Sequence, residues 1–181
     1  MKVSTDQILD ATIGLAKEVG WGNTSVRGIS KRINYSTIKI YSEFGSKENL
    51  LVEVQKRGFR LLKRKYINSI SNVSEPKEQF INLCIAHYSF ARTHQRYYEL
   101  MFQVNGVACK RATHETLSNA GEPVRNLIEE LSGRMNTALF LGWWSMIHGF
   151  TLIAQNNFDI TEREAIKVLR GIVENYIKGI E

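Results

Sequence analysis

TSVRGISKRINYSTIKIYSEFGSKENLL, residues 24 to 51, decides how the chain is read. Val26, Ile29 and Ile33 fall at i, i+3 and i+7, which gives a short helix one apolar face, and Thr24 or Ser25 is placed to cap its amino end. Asn34 is the natural breaker, because Asn tolerates the left-handed backbone that a tight inter-helix turn needs. Ser36 then caps a second helix. At about 100° per residue, Ile40 and Phe44 point toward a core while Ile38, Tyr41 and Ser42 fall on or near the opposite face. An Ile and a Tyr turned outward on a polar helix gain nothing from water, but they suit a helix that lies in a groove. Gly45 ends this helix and Ser46 caps the next, with Lys47 in its first turn. The pattern is a helix-turn-helix.

These residues resemble the TetR-type bacterial transcriptional regulators. The resemblance starts at Ile8 with ILDATIGLAKEVGWGNTSVRGISKRI and runs through INYSTIKIYSEFGSKENL, with ordered landmarks at Thr24-Ser25-Val26, Ile29, Ser36, Tyr41, Phe44-Gly45, Lys47 and Leu50. Three positions depart from the family pattern: Asn34 stands where Gly is usual, Ile38 where a small residue is usual, and Glu43 where an aromatic residue or His is more common. The resemblance implies a ligand-responsive repressor that acts as a homodimer on double-stranded operator DNA, reading an inverted repeat. It also implies phosphate contacts from Tyr41 and Lys47. The amino end of the first helix, at Thr24, Ser25, Val26 and Arg27, is expected on phosphate as well. Base reading is expected from Thr37, Ile38, Lys39 and Ser42, with Ser36 at the leading end of their helix; an outward apolar side chain such as Ile38 can touch a thymine methyl.

The charge distribution agrees with such a module. Residues 1 to 66 hold 13 Lys and Arg against 6 Asp and Glu, a net of +7, and residues 67 to 181 hold 11 against 12, a net of −1. Basic charge by itself is as readily a solvated face; confined to the third that carries the helix-turn-helix, it fits a nucleic-acid-binding module joined to a neutral sensing or assembly module.

A length of 181 residues allows one substantial core, or a small domain with a medium one. Two Pro and no Gly/Ser-rich tract leave no flexible linker, and no alternating strand run is bounded by hairpin turns. The expected fold is therefore all-α: an amino-terminal three-helix bundle with its helix-turn-helix at residues 1–50, joined by a long helix to a helical ligand-binding and dimerisation body at 51–181. Two cysteines, Cys84 and Cys109, are too few for a disulfide framework. The start MKVSTDQILD has no apolar signal region, so a cytoplasmic protein is expected.

In chain order, Ser4 or Thr5 caps a first helix with an apolar stripe at Ile8, Ala11, Leu15 and Val19, ended by Gly20, and Trp21 follows to cover the small core. A helix from Lys47 to about Ser71 buries Leu50, Leu51, Val54, Gly58, Leu61 and Leu62, and exposes Lys56, Arg57, Arg60, Lys63 and Arg64. Pro76 opens the next helix, with Phe80, Leu83, Cys84, His87 and Ala91 on one face and Ile81, Ile85 and Tyr88 beside them. QRYYELMF follows; residues 103 to 111 read as a connection; Thr113 to Leu131 reads as helix, broken or kinked at Gly121 to Pro123.

Ala138 to Ala154, ALFLGWWSMIHGFTLIA, is the most apolar stretch. It has no Lys, Arg, Asp or Glu, yet it is shorter than the roughly 20 residues of a membrane span and carries Ser145, His148 and Thr151, so a helix buried on two sides is expected, with no membrane partner. Leu139, Trp143, Met146, Phe150 and Ile153 form one stripe, and Phe140, Trp144, Ile147 and His148 lie around the rest. Trp143, His148 and Gly149 also resemble the carboxy-terminal region of one TetR subgroup. Thr161-x-x-Glu164 is a capping box for a last helix with a seam at Ile166, Leu169, Val173, Tyr176 and Ile180. Two adjacent apolar helices at the end of the chain are what a homodimer built as a four-helix bundle requires.

No Gly-rich phosphate loop, Gly-x-Ser-x-Gly elbow or His-Glu-x-x-His helix occurs, so neither an enzyme nor a cofactor is expected. Cys84 and His87, three apart, can face one metal ion, but without a second such pair a buried thiol beside a hydrogen-bonded His is the ordinary reading, and His94, His114 and His148 read as structural too. The aromatic cluster of the body is first of all core. The resemblance to a family that holds small molecules in this part of the chain implies an effector site at Phe80, Cys84, His87, Tyr88, Tyr98, Met101, Phe102, Phe140, Trp144 and His148. The alternative is a helical enzyme or small-molecule carrier in which the amino-terminal helices serve assembly only. The absence of a catalytic constellation weighs against it.

Overall fold

Ser4 accepts from the Gln7 amide and the Gln7 side chain accepts from the Ser4 amide at 2.8 Å, a reciprocal cap that starts the first helix where the sequence places it. The computed structural model describes residues 3–104, 114–156 and 159–181. Among these the chain is helical, without strands: α1 Thr5–Asn23, α2 Val26–Arg32, α3 Thr37–Phe44, α4 Lys47–Ile70, α5 Pro76–Thr93, α6 Gln95–Phe102, α7 His114–Ser132, α8 Thr137–Asn156 and α9 Glu162–Ile180. Most of the expected connection at 103 to 111, with Cys109, lies outside the described residues.

The helices group into two compact units, one of residues 1–60 and 94–117 and the other of 61–93 and 118–181. The body was expected to meet the head through one continuous helix, Lys47 onward; α7 also contributes residues to both units. In the first unit Ile8, Leu9, Ile13 and Ala16 of α1 close on Val26 and Ile29 of α2, Ile40 and Phe44 of α3, and Leu50 and Val54 of α4. Each of these side chains larger than Ala contributes roughly 1.5–3 kcal/mol when fully buried. Gly20, at φ 75°, bends the carboxy-terminal end of α1. Val19 beside it is 41 % exposed, so the expected stripe stops short of it.

Helix α6 belongs to this unit rather than to the second. Trp21 Nε1 donates to the Arg96 carbonyl at 3.0 Å, and Phe102 packs edge-on against Phe59, centroids 5.6 Å apart. A Cβ on Gly58 would stand 2.5 Å from Met101 Sδ and 3.0 Å from a Tyr97 ring carbon. Only a glycine lets α6 approach the α4 backbone this closely. On α4, Arg57 pairs with Asp10, Lys56 with Glu53 and Lys63 with Glu122, each at 2.7 Å, which ties up three of the five cations expected on its basic side. Gln55, Phe59 and Tyr66 are buried where the sequence pattern points to Leu61, which is only half-buried.

The second unit packs α5 against both α8 and α9. Its core includes Phe80, Leu83 and Phe90 of α5, Val124 and Ile128 of α7, Trp143 and Ile147 of α8, and Leu169 and Val173 of α9. Helix α9 starts at the expected Thr161–Glu164 capping box. Helix α7 runs through Gly121 and Pro123 without the expected break. Pro123 costs one backbone bond, but its face is buried with Val124 and Leu127, and Arg125 reaches back to the Ser118 carbonyl, so packing holds the helix. Helix α8 is less covered than expected. Thr137–Gln155 is long and apolar enough to cross a membrane and is the one such helix among the described residues, yet only 22 % of that window is buried. Leu141 is 52 % exposed and Ile153, placed on the buried stripe from sequence, is 48 % exposed.

Candidate nucleic-acid interface

Two left-handed residues frame α3. Asn34 has φ 47° in the turn before it, where the Tyr35 amide donates to the Ser30 carbonyl at 3.0 Å and Ser30 Oγ donates to the Tyr35 carbonyl. Gly45 has φ 75° at its end, and Asn49 Nδ2 donates to the Phe44 carbonyl at 3.0 Å. A Cβ at either position strains the backbone, and Asn is among the few residues that tolerate it. Between these turns Ile40 and Phe44 are buried and hold the helix to the core. Ile38, at 78 % exposure, and Tyr41, at 47 %, face outward together with Lys39 and Ser42, while Thr37 is half-buried. Ser36 occupies the cap position but makes no side-chain cap bond.

The neighbouring candidates divide. Ser25 is the cap of α2, its Oγ accepting from the Gly28 amide at 3.1 Å, and Ser25 and Arg27 are exposed. Thr24 and Val26 are not at the surface: Thr24 Oγ1 donates to the Gly20 carbonyl at 2.8 Å and Val26 lies in the core. Their side chains are turned inward, so at these two positions the amino end of α2 offers only its backbone to a phosphate. Lys47 is half-exposed in the first turn of α4, after the Ser46 cap. Arg27, Lys31, Lys39 and Lys47 carry no ion pair among the described residues, whereas Arg32 pairs with Glu18 at 2.8 Å and Arg57 with Asp10. These four lie on α2, α3 and the start of α4; Lys17 on α1 and Arg60 further along α4 also carry no ion pair among the described residues. Lys31 was missed from sequence; its place in the last turn of α2, one residue from the paired Arg32, gave no sign of which was free.

The ten residues expected around an effector are split by the fold. Tyr98, Met101 and Phe102 lie on α6 in the first unit, where Tyr98 and Phe102 are edge-to-face at 4.6 Å. The other seven lie in the second unit. Phe80, Cys84, His87 and Tyr88 are fully buried on α5, and Phe140, Trp144 and His148 are half-buried on α8. Phe80 stacks on Tyr176 at 5.8 Å and Tyr88 meets Phe150 at 5.6 Å. His87 lies edge-on to Trp143 and Trp144, at 6.0 and 6.2 Å, and Trp144 stacks on both His148 and Phe140. Tyr66 Oη stands 2.5 Å from His87 Nδ1; burial, with His148 nearby, pushes the His87 pKa down to about 3, so its ring is neutral. Trp143 Nε1 donates to Cys84 Sγ at 3.4 Å, and burial pushes that thiol up to about 12, which makes it an inert core group. No group of three or more His, Cys, Asp or Glu able to hold a metal occurs among the described residues.

Tyr66 and Trp143 were missed as members of this cluster. Tyr66 falls four residues after Leu62 on the buried face of α4, so helical periodicity contained the signal. One further stripe of α8 was missed: Trp144, His148, Thr151 and Gln155 follow at i, i+4, i+7 and i+11, and the buried Thr151 hydroxyl and Gln155 Nε2 have no hydrogen-bond partner among the described residues.

The family model for bacterial regulatory proteins of the tetR family matches residues 8–54, and that for the tetracyclin repressor-like C-terminal domain matches residues 80–176. The fold is shared with a protein of unknown function from Rhodococcus sp. RHA1, at TM-score 0.79 and 17 % identity over 99 % of this chain and 96 % of that one. It is shared with the TetR family transcriptional regulator PfmR from Thermus thermophilus, at TM-score 0.65 and 20 % identity over 96 % and 98 %. A substituted TetR from Acinetobacter baumannii AYE, in complex with minocycline, matches at TM-score 0.67 and 14 % identity over 98 % and 96 %. No curated protein matches the chain. With both family models satisfied in order, and a helix-turn-helix whose second helix turns Ile38, Lys39, Tyr41 and Ser42 outward, the chain belongs to the TetR family and is a DNA-binding transcriptional regulator.

Proposed function

We propose that this regulator is a cytoplasmic repressor in which residues 1–50 read DNA and residues 51–181 dimerise and hold a small effector that releases the operator. The observation that carries the reading is the outward face of α3, with Ile38, Lys39, Tyr41 and Ser42 beside the unpaired Arg27 and Lys47. Thr37, Ile38, Lys39 and Ser42 meet base edges, and Tyr41, Lys47 and the exposed Ser25 and Arg27 meet phosphates.

A single head reads too few base pairs for useful specificity, so two heads on an inverted repeat are proposed. The exposed Leu141 and Ile153 of α8 and Val168 of α9 support a second copy as the cover for these helices. Ser145 and Gly149 lie between Leu141 and Ile153 on the same stripe and permit close helix approach. Sedimentation at micromolar concentration is expected to give a dimer; a monomer that still binds DNA would remove the assembly argument.

The effector is proposed to be mainly apolar, with a hydrogen-bonding end, and to contact the second unit's aromatic cluster at Phe80, Cys84, His87, Tyr88, Phe140, Trp144 and His148. Support comes from the unpartnered Thr151 hydroxyl and Gln155 amide, which continue the Trp144–His148 stripe, since a buried donor left unmade costs about 1–3 kcal/mol. The minocycline complex of the Acinetobacter relative supports the same use of this fold. Tyr98, Met101 and Phe102 are proposed to act from the head unit as part of its response. Coupling between effector and operator is expected at about 1–3 kcal/mol, roughly 5- to 150-fold in binding, and it is reciprocal. The test is calorimetry of the molecule that co-purifies, identified by mass spectrometry after denaturation, with and without saturating operator. Equal affinities would show that the site does not regulate DNA binding.

A further inference from the structure

The polar groups on the outward face of α3 are largely committed within the protein. Ser42 Oγ donates to the Lys39 carbonyl at 2.9 Å, Lys39 Nζ lies 5.5 Å from the Tyr35 ring centroid, and Glu43 accepts from Thr5 Oγ1 on α1. Ile38 differs from all of these. It is the second residue of the helix and, at 78 % exposure, the most exposed of the large apolar side chains described. Its packing value to the folded chain is small, and a β-branched residue in an exposed helical turn is a poorer helix former than Ala.

In a major groove an isoleucine can neither donate nor accept a hydrogen bond. The one base feature that rewards it is an apolar one, the C5-methyl group of thymine; facing guanine or cytosine it leaves donors and acceptors without partners. We infer that Ile38 is a specificity-determining residue that reads a C5-methyl group in each operator half-site. Thymine supplies this group, and 5-methylcytosine, with the same methyl at the same ring position, substitutes for it. The inference rests on the proposal that α3 is the helix in the groove. It makes part of this protein's sequence preference independent of Watson–Crick identity and dependent on a single methyl.

The experiment begins with selection of operator sequences from a random duplex pool by the full-length protein. Each thymine of the selected half-site is then replaced by deoxyuridine, and at the sensitive position cytosine is compared with 5-methylcytosine. At one position per half-site, loss of the methyl is expected to weaken binding about fourfold, and about fifteenfold when both half-sites are changed, the effect of withdrawing one buried methyl-sized group. 5-Methylcytosine should bind more tightly than cytosine by a similar factor. Ile38→Ala should bind the thymine and deoxyuridine duplexes alike, and Ile38→Val should keep part of the difference; both replace an exposed side chain, so folding is preserved. Selective binding without any methyl-sensitive thymine overturns the inference, as does a methyl effect that persists undiminished in Ile38→Ala. Failure of the pool to yield any preferred sequence overturns the DNA reading itself.

Discussion

Between pH 7.5 and pH 5 the folded protein should lose about 2 kcal/mol of stability, and His87→Gln should remove most of that loss. His87 is fully buried among Tyr66, Trp143 and Trp144, and burial, with His148 nearby, pushes its pKa to about 3. In the unfolded chain an imidazole titrates near its ordinary value, about 6.5. Between these values the unfolded state binds the extra proton, so stability rises with pH. The contribution of the neutral ring is complete above about pH 6.5 and is lost progressively as pH falls toward about 3. His148 is shifted in the same direction by burial and leaves a smaller residual dependence. Glu48, Glu122 and Glu164, whose pKa values are lowered by hydrogen bonds, act with the same sign only at lower pH, so the pH 7.5 to 5 window isolates the histidines. Gln retains a hydrogen-bonding group for Tyr66 but does not titrate. Urea midpoints at three pH values decide the matter; parallel curves for parent and variant would show that His87 does not carry the dependence.

Lys47→Ala should weaken operator binding about 60-fold at 0.1 M salt, with the difference vanishing toward 1 M. A dimer loses two phosphate contacts, one per head, and each contact contributes about 0.9 to the slope of log affinity against log salt, so the slope should flatten by about 1.8. Lys47 suits this role because it stands in the first turn of α4, partly exposed and without an ion pair among the described residues. Lys56 provides the contrast. Its ammonium is held by Glu53 at 2.7 Å, so Lys56→Ala should leave the slope unchanged. Identical slopes for parent and Lys47→Ala would place this lysine away from the DNA. In the proposed docking Lys47, unlike Ile38, meets a part of DNA common to every sequence, so its loss should weaken all sites similarly.

What was legible in the sequence were features with local causes. The cap of the first helix at Ser4 or Thr5, the capping box at Thr161, the left-handed turn at Asn34, the stop at Gly45 and the start at Pro76 lie where side-chain chemistry within a few residues dictates them. The outward face of α3 was legible for the same reason, since helical period alone separates Ile38 and Tyr41 from Ile40 and Phe44. The rest depended on partners far along the chain. Trp21 meets the carbonyl of Arg96, 75 residues away, and that bond places α6 with the head, where local pattern offered no clue. Helix α7 crosses Pro123 because packing of one face outweighs a single lost backbone bond, a balance that propensity does not contain. The burial of Thr24 and Val26 was not legible, because a family landmark marks a required residue without saying whether its side chain faces a partner or the core.

The contact of α6 with the head bears on how such regulators exchange specificities. Grafting residues 1–50 onto another member of the family would transplant the helix-turn-helix but sever Trp21 from the carbonyl that holds it, and a graft extended to residue 60 without α6 would set Gly58 against a foreign Met101 and Tyr97. A hybrid that respects this packing takes residues 1–60 together with α6, two pieces separated by the whole of α5. With α3 as the proposed reading helix, inheritance of DNA preference in this chain is discontinuous: a new operator is reached more readily by changing single exposed residues of α3 than by recombining the first gene segment.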